Sequence, residues 1–67
     1  MNTYTIHTRD LATGKPKRVT GSLDDLRDYL TMAEYAIKRD SGRYRSSADR
    51  TVAEFQHVLE QLDKGAA

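Results

Sequence analysis

Ser22-Leu23-Asp24-Asp25-Leu26-Arg27-Asp28-Tyr29-Leu30-Thr31-Met32-Ala33-Glu34-Tyr35-Ala36-Ile37-Lys38-Arg39 is the stretch on which the fold turns. Apolar side chains stand at Leu23, Leu26, Tyr29, Leu30, Met32, Ala33, Ala36 and Ile37, a helical rather than an alternating spacing. At about 100° per residue they span roughly half of the helix circumference, wider than the arc of about 100° that a surface helix of a small domain needs. One neighbouring helix leaves part of that arc bare. The remainder requires the N-terminal segment, a second copy of the chain, or both.

The ends of this helix are written in the same stretch. Ser22 is a good N-cap, and Asp25 three residues on completes a capping box with Asp in place of Glu. Asp24 and Asp25 suit the positive end of the helix dipole, as Lys38 and Arg39 suit the negative end. Asp40-Ser41-Gly42 stops the helix with a glycine able to take positive φ. After the connector Arg43-Tyr44-Arg45, Ser46 or Ser47 caps a second helix over about 47–64, with Gly65 as its stop and Gly65-Ala66-Ala67 as a frayed tail. Ala48, Val52, Phe55, Leu59 and Leu62 form its narrower apolar stripe, with Val58 alongside.

Upstream, residues 3–9 are rich in β-branched and aromatic types, and Tyr4, Ile6 and Thr8 share one face of a strand. Asp10-Leu11-Ala12-Thr13-Gly14 reads as a loop of roughly five residues, followed by a second strand over about 15–20 whose Pro16 marks it as an edge. The expected fold is therefore α+β: an N-terminal β-hairpin (about 3–20) followed by an antiparallel two-helix hairpin (about 22–39 and 47–64), one domain over 1–67. Leu23, Leu26, Leu30, Ala33 and Ile37 should face Val52, Phe55, Leu59 and Leu62. Tyr29, Met32 and Ala36 then meet either the ribbon, through Tyr4, Ile6 and Val19, or a second subunit, which makes these three the candidate dimer interface.

Length supports dimerisation, since a chain of 67 residues buries only about 60% of its unfolded surface and has a marginal core. With no cysteine, neither disulfides nor thiolate zinc sites supplement that core. The N-terminus lacks the apolar run of roughly seven or more residues found in secretory leaders, and no stretch approaches the roughly 20 residues needed to span a bilayer. The chain reads as a cytoplasmic protein with no membrane partner. Its net charge of +1 hides four blocks: +3 over residues 1–20, −3 over 21–37, +3 over 38–50 and −2 over 51–67.

No local pattern supplies catalytic or cofactor chemistry. Glu54, His57 and Glu60 are spaced for Glu-x-x-His metal ligation, but helical projection sets them opposite the apolar stripe, on a solvated face. His7 lies on a strand without a nucleophile or carboxylate pair, and Gly14-Lys15 lacks the first glycine and the downstream hydroxyl of a phosphate loop. Lys15-Pro16-Lys17-Arg18 is either a charge-protected strand edge or a nucleic-acid patch. Arg43-Tyr44-Arg45, with Arg39 close by in sequence, combines the residue types enriched at binding hot spots. Tyr35 projects among Asp24, Asp28 and Thr31 on the polar side of the helix, where the fold does not require an aromatic.

Two resemblances follow. The strand Lys17-Arg18-Val19-Thr20 leading into Ser22-Leu23-Asp24-Asp25-Leu26 and a second capped helix resembles ribbon-helix-helix repressors, which implies a dimeric DNA-binding regulator with Arg18 and Thr20, or Lys17, as base readers; the candidate DNA-binding set of the basic strand is Lys15, Lys17 and Arg18. The whole chain, a hairpin and a helix pair without cysteine, is similar in size and layout to small phage accessory proteins that disable host proteins, including anti-CRISPR proteins. That resemblance implies a stoichiometric, non-enzymatic protein-protein interaction module acting on a host protein in the host cytoplasm. The resemblance carries over no functional residue; from residue types and helical projection, Tyr35, Arg39, Arg43, Tyr44 and Arg45 form the expected partner contact, Tyr29, Met32 and Ala36 join the expected homodimer, and neither cofactor nor metal is required.

Overall fold

A computed structural model describes residues 2–66. The chain runs β1 (Tyr4–Arg9), β2 (Pro16–Gly21), α1 (Leu23–Arg39), a single 3-10 turn (Ser41–Arg43) and α2 (Ala48–Ala66). A two-stranded antiparallel hairpin followed by two helices is the α+β layout that the apolar spacing predicts.

The hairpin is a ladder in which Tyr4 pairs with Gly21, Ile6 with Val19, His7 with Arg18 and Arg9 with Pro16. Because strand side chains alternate between faces, Tyr4, Ile6 and Thr8 lie on one side with Val19 and Lys17. His7 and Arg18 lie on the other side. The loop is built by Asp10, whose carboxylate accepts the N–H groups of Ala12 and Thr13, both at 2.9 Å. Its own N–H donates to the Lys15 carbonyl, and the Gly14 N–H donates to the Asp10 carbonyl, each at 2.8 Å. Gly14 turns the chain at φ 76°, a conformation that side-chain-bearing residues rarely adopt.

Helix α1 opens with the expected capping box: the Asp25 N–H donates to Ser22 Oγ at 3.2 Å, and the Ser22 N–H donates to Asp25 Oδ2 at 3.1 Å. Gly21 makes room for it, since a Cβ there would lie 2.7 Å from Asp25 Cβ. The other end of α1 departs from expectation. Gly42 is not a left-handed cap, because among the described residues Gly14 alone has positive φ. The chain instead tightens: the Asp40 N–H donates to the Ala36 carbonyl and the Arg43 N–H to the Asp40 carbonyl, both at 3.0 Å. Nor does Gly65 stop the second helix, since α2 continues through it to Ala66. Glycine at a helix end lowers helix propensity without enforcing a break. Ala67, expected in the frayed tail, lies outside the described residues.

The layers are the helix pair and the ribbon, with β1 against α2 and β2 against α1. Ile6, Leu26, Phe55 and Leu59 form the buried core, with Tyr4, Val19, Leu23, Tyr29, Leu30 and Leu62 half-buried around it. Each such buried side chain contributes about 1.5–3 kcal/mol relative to exposure. A residual void of about 10 Å³ between Tyr29, Leu11 and Phe55 is no larger than one water, so ribbon and helices close tightly on each other.

Polar ties also reach between the helices and between connector and hairpin loop. Arg27 donates from Nη2 to Asp63 Oδ1 at 2.7 Å, joining the start of α1 to the end of α2, and from Nη1 to Asp24 Oδ1 at 3.2 Å. At the opposite end of the helix pair, the Arg45 N–H donates to the Leu11 carbonyl at 3.2 Å, and its Nη1 donates to the Thr13 carbonyl at 2.6 Å. The connector between the helices is thereby fastened to the hairpin loop.

Candidate interaction surface

The wide apolar arc of α1 is covered unevenly. Leu26 and Ala33 are buried, and Tyr29 is half-covered: its ring centroid stands 5.0 Å from that of Phe55, and Lys17 of β2 sets its ammonium over the ring, 5.3 Å from the centroid. Met32 and Tyr35, further round the helix, remain 72% and 63% exposed. Neither the ribbon nor α2 reaches them. The 3-10 turn and Tyr44 fold back along that bare flank, and together they line a groove of about 740 Å³ formed by Thr31, Met32, Tyr35, Ala36, Arg39, Asp40, Arg43 and Tyr44.

This geometry redraws the sets expected from sequence. Tyr35, Arg39, Arg43 and Tyr44, assigned to a partner, and Met32 and Ala36, assigned to a dimer, share one groove. Tyr29 does not line this groove; its half-buried ring packs within the chain against Phe55. Arg45 lies apart from them: its guanidinium is turned towards the hairpin loop and lines a different groove, of about 440 Å³, with Arg9, Gly14 and Arg50. Sequence spacing could not separate Arg45 from Arg43, since the direction of a connector side chain depends on where the loop returns.

The groove combines flat aromatic and thioether surface with two guanidiniums. Arg43, at the end of the 3-10 turn, is oriented by an ion pair from Nη1 to Oδ2 of Asp40, the C-cap residue of α1, at 3.5 Å. Both side chains are largely exposed, so the contact orders Arg43 more than it stabilises the fold. Thr31 and Asp40 also line the groove, although the sequence does not mark either for it. Thr31 is legible as a neighbour of Tyr35 on helical projection, whereas Asp40 enters only through the 3-10 turn that stands in place of the expected glycine cap.

The basic strand does not gather into one patch. Lys17 faces the helices over Tyr29, and Arg18 sits opposite His7 on the far face of the ribbon. Lys15 belongs to the loop, where its carbonyl accepts from Asp10. Asp10 itself has a carboxyl held below its ordinary value of 3.8, first by the Thr13 N–H and then by that of Ala12, with Lys17 adding a smaller share. Glu54, His57 and Glu60 are exposed along α2. Among the described residues, no three His, Cys, Asp or Glu side chains are grouped so as to hold a metal ion, and no helix is long and apolar enough to cross a membrane.

No protein-family model matches this sequence, and comparisons with curated proteins and with solved structures return no match.

Proposed function

We propose that the chain is a non-enzymatic interaction module that binds and modulates a host protein stoichiometrically in the cytoplasm. One observation carries this reading: exposed Met32 and Tyr35 lie in the same groove as Arg39, Arg43 and Tyr44. Aromatic and arginine side chains bring large contact area with a polar end, the combination that dominates binding energy at protein interfaces. A surface offering a carboxylate beside an apolar side chain complements it. The duplex-DNA reading has weaker support, because strand alternation sends Lys17 and Arg18 to opposite faces of the ribbon.

The test is affinity capture from host lysate, with and without nuclease, using the wild-type chain and Arg43→Ala/Tyr44→Ala. A single stoichiometric protein should survive nuclease on the wild type and be lost from the double variant, while the thermal midpoint moves little. Retention of that protein by the variant would remove the groove from the proposal. Enrichment that disappears with nuclease would transfer the function to the basic strand.

A further inference from the structure

Six residues of α1 make a stripe along its outer side: Asp24, Asp28, Thr31, Met32, Tyr35 and Arg39. At about 100° per residue they fall within an arc of about 100°, and they extend about 22 Å along the helix. All six are exposed. The charges are ordered, with two carboxylates at the N-terminal end, a guanidinium at the C-terminal end, and Met32 and Tyr35 between them.

From this ordering we infer that the bare face of α1 pairs with the same face of a second copy, antiparallel, about a two-fold axis between Thr31 and Met32. That register sets Thr31 against Met32, Asp28 against Tyr35, and Asp24 against Arg39 of the second copy. Each contact occurs twice, as an isologous interface requires. Every acidic position meets a cation or a phenol, and no like charges oppose one another. The helix dipole alone accounts for acidic residues at the start of α1 and basic ones at its end. It does not account for a thioether and a phenol ring exposed midway between them, nor for Asp28 and Tyr35 standing at equal distances from the same axis.

This pairing rests on the reading of the α1 flank as an interaction surface and divides that surface in two. The helix stripe is taken by the second copy. Arg43 and Tyr44 lie beyond the first turn of the opposing helix and stay open to the target protein.

Charge exchange tests the register. In sedimentation velocity over a concentration series, the wild type should show a reversible dimer that weakens as salt screens the end pairs. Asp24→Arg and Arg39→Asp should each raise the dimer dissociation constant about tenfold or more, since each creates two like-charge encounters per dimer. Mixed one to one, the two variants should recover the dimer. In that heterodimer the arginine introduced in one chain meets the aspartate introduced in the other at one end, and the native Asp24 and Arg39 meet at the other end. Circular dichroism of each variant establishes that the fold is retained, and the mixture controls for any local cost of the substitutions. A wild type that stays monomeric throughout, single variants that dimerise as well as the wild type, or a mixture that stays monomeric would each overturn the pairing. Target capture that survives in a monomeric wild type would overturn the pairing alone and leave the interaction module standing.

Discussion

At the scale of single residues, Asp10 shows how much local order one side chain can impose. Its carboxylate accepts two loop N–H groups, and these contacts hold its ionisation below the ordinary value of 3.8. A carboxyl with a depressed folded-state pKa stabilises the fold fully above its unfolded value, and the contribution is lost as pH falls through the lower folded value. Asp10→Ala should therefore lower the thermal midpoint at neutral pH. The deficit relative to wild type should shrink as pH drops below 3.8, a comparison that parallel melts in a pH series would make. Core residues such as Ile6, Leu26, Phe55 and Leu59 are readable from periodicity because a buried face repeats at regular spacing. Arg45 is not readable: the carbonyl its side chain meets belongs to a loop 32 residues earlier, and no local pattern announces such a partner.

Among elements, α1 is the most legible, and its two ends explain why legibility varies. Its start is encoded by side chains that cap nearby backbone, so Ser22 and Asp25 can be recognised from their spacing. Ser22→Ala should cost about 0.5–2 kcal/mol in urea unfolding, the usual worth of an N-cap. Gly21→Ala should also destabilise the chain, although alanine ordinarily improves on glycine inside an element, because its Cβ would press on Asp25 and open the same box. A neutral Gly21→Ala would mean that the box adjusts freely. The end of α1 is encoded less directly. A 3-10 turn and a left-handed glycine cap both satisfy terminal carbonyls, and the choice between them depends on the return of the connector to the hairpin loop. The groove rim at Arg43 and Tyr44 is shaped by that choice, which is why these two residues are identifiable from sequence while Asp40, which joins them in the groove, is not.

For the molecule as a whole, α2 and the ribbon cover most of the apolar arc that α1 presents; of the predicted surplus, Tyr29 and Ala36 are half-buried and Met32 stays exposed, with Tyr35 of the polar side exposed beside it. Cohesion between the helices comes from their shared apolar core, with the Arg27 and Asp63 clasp as an addition. Both clasp side chains are about half exposed, so Arg27→Met should change stability by less than about 1 kcal/mol, with the loss diminishing in high salt. A much larger loss in chemical denaturation would show the clasp to be the main lock between the helices.

The fastening of Arg45 to the hairpin loop has its consequence at the neighbouring residue, Tyr44. Connectors and loop tips are ordinarily where a small protein opens first, yet here the Leu11 and Thr13 carbonyls tie the two segments to each other. These ties couple the two segments, so in hydrogen exchange their amides should open with similar free energies. The groove rim is therefore held in place within the free chain, so docking of the partner proposed above would be spared most of the entropy cost that a free loop incurs.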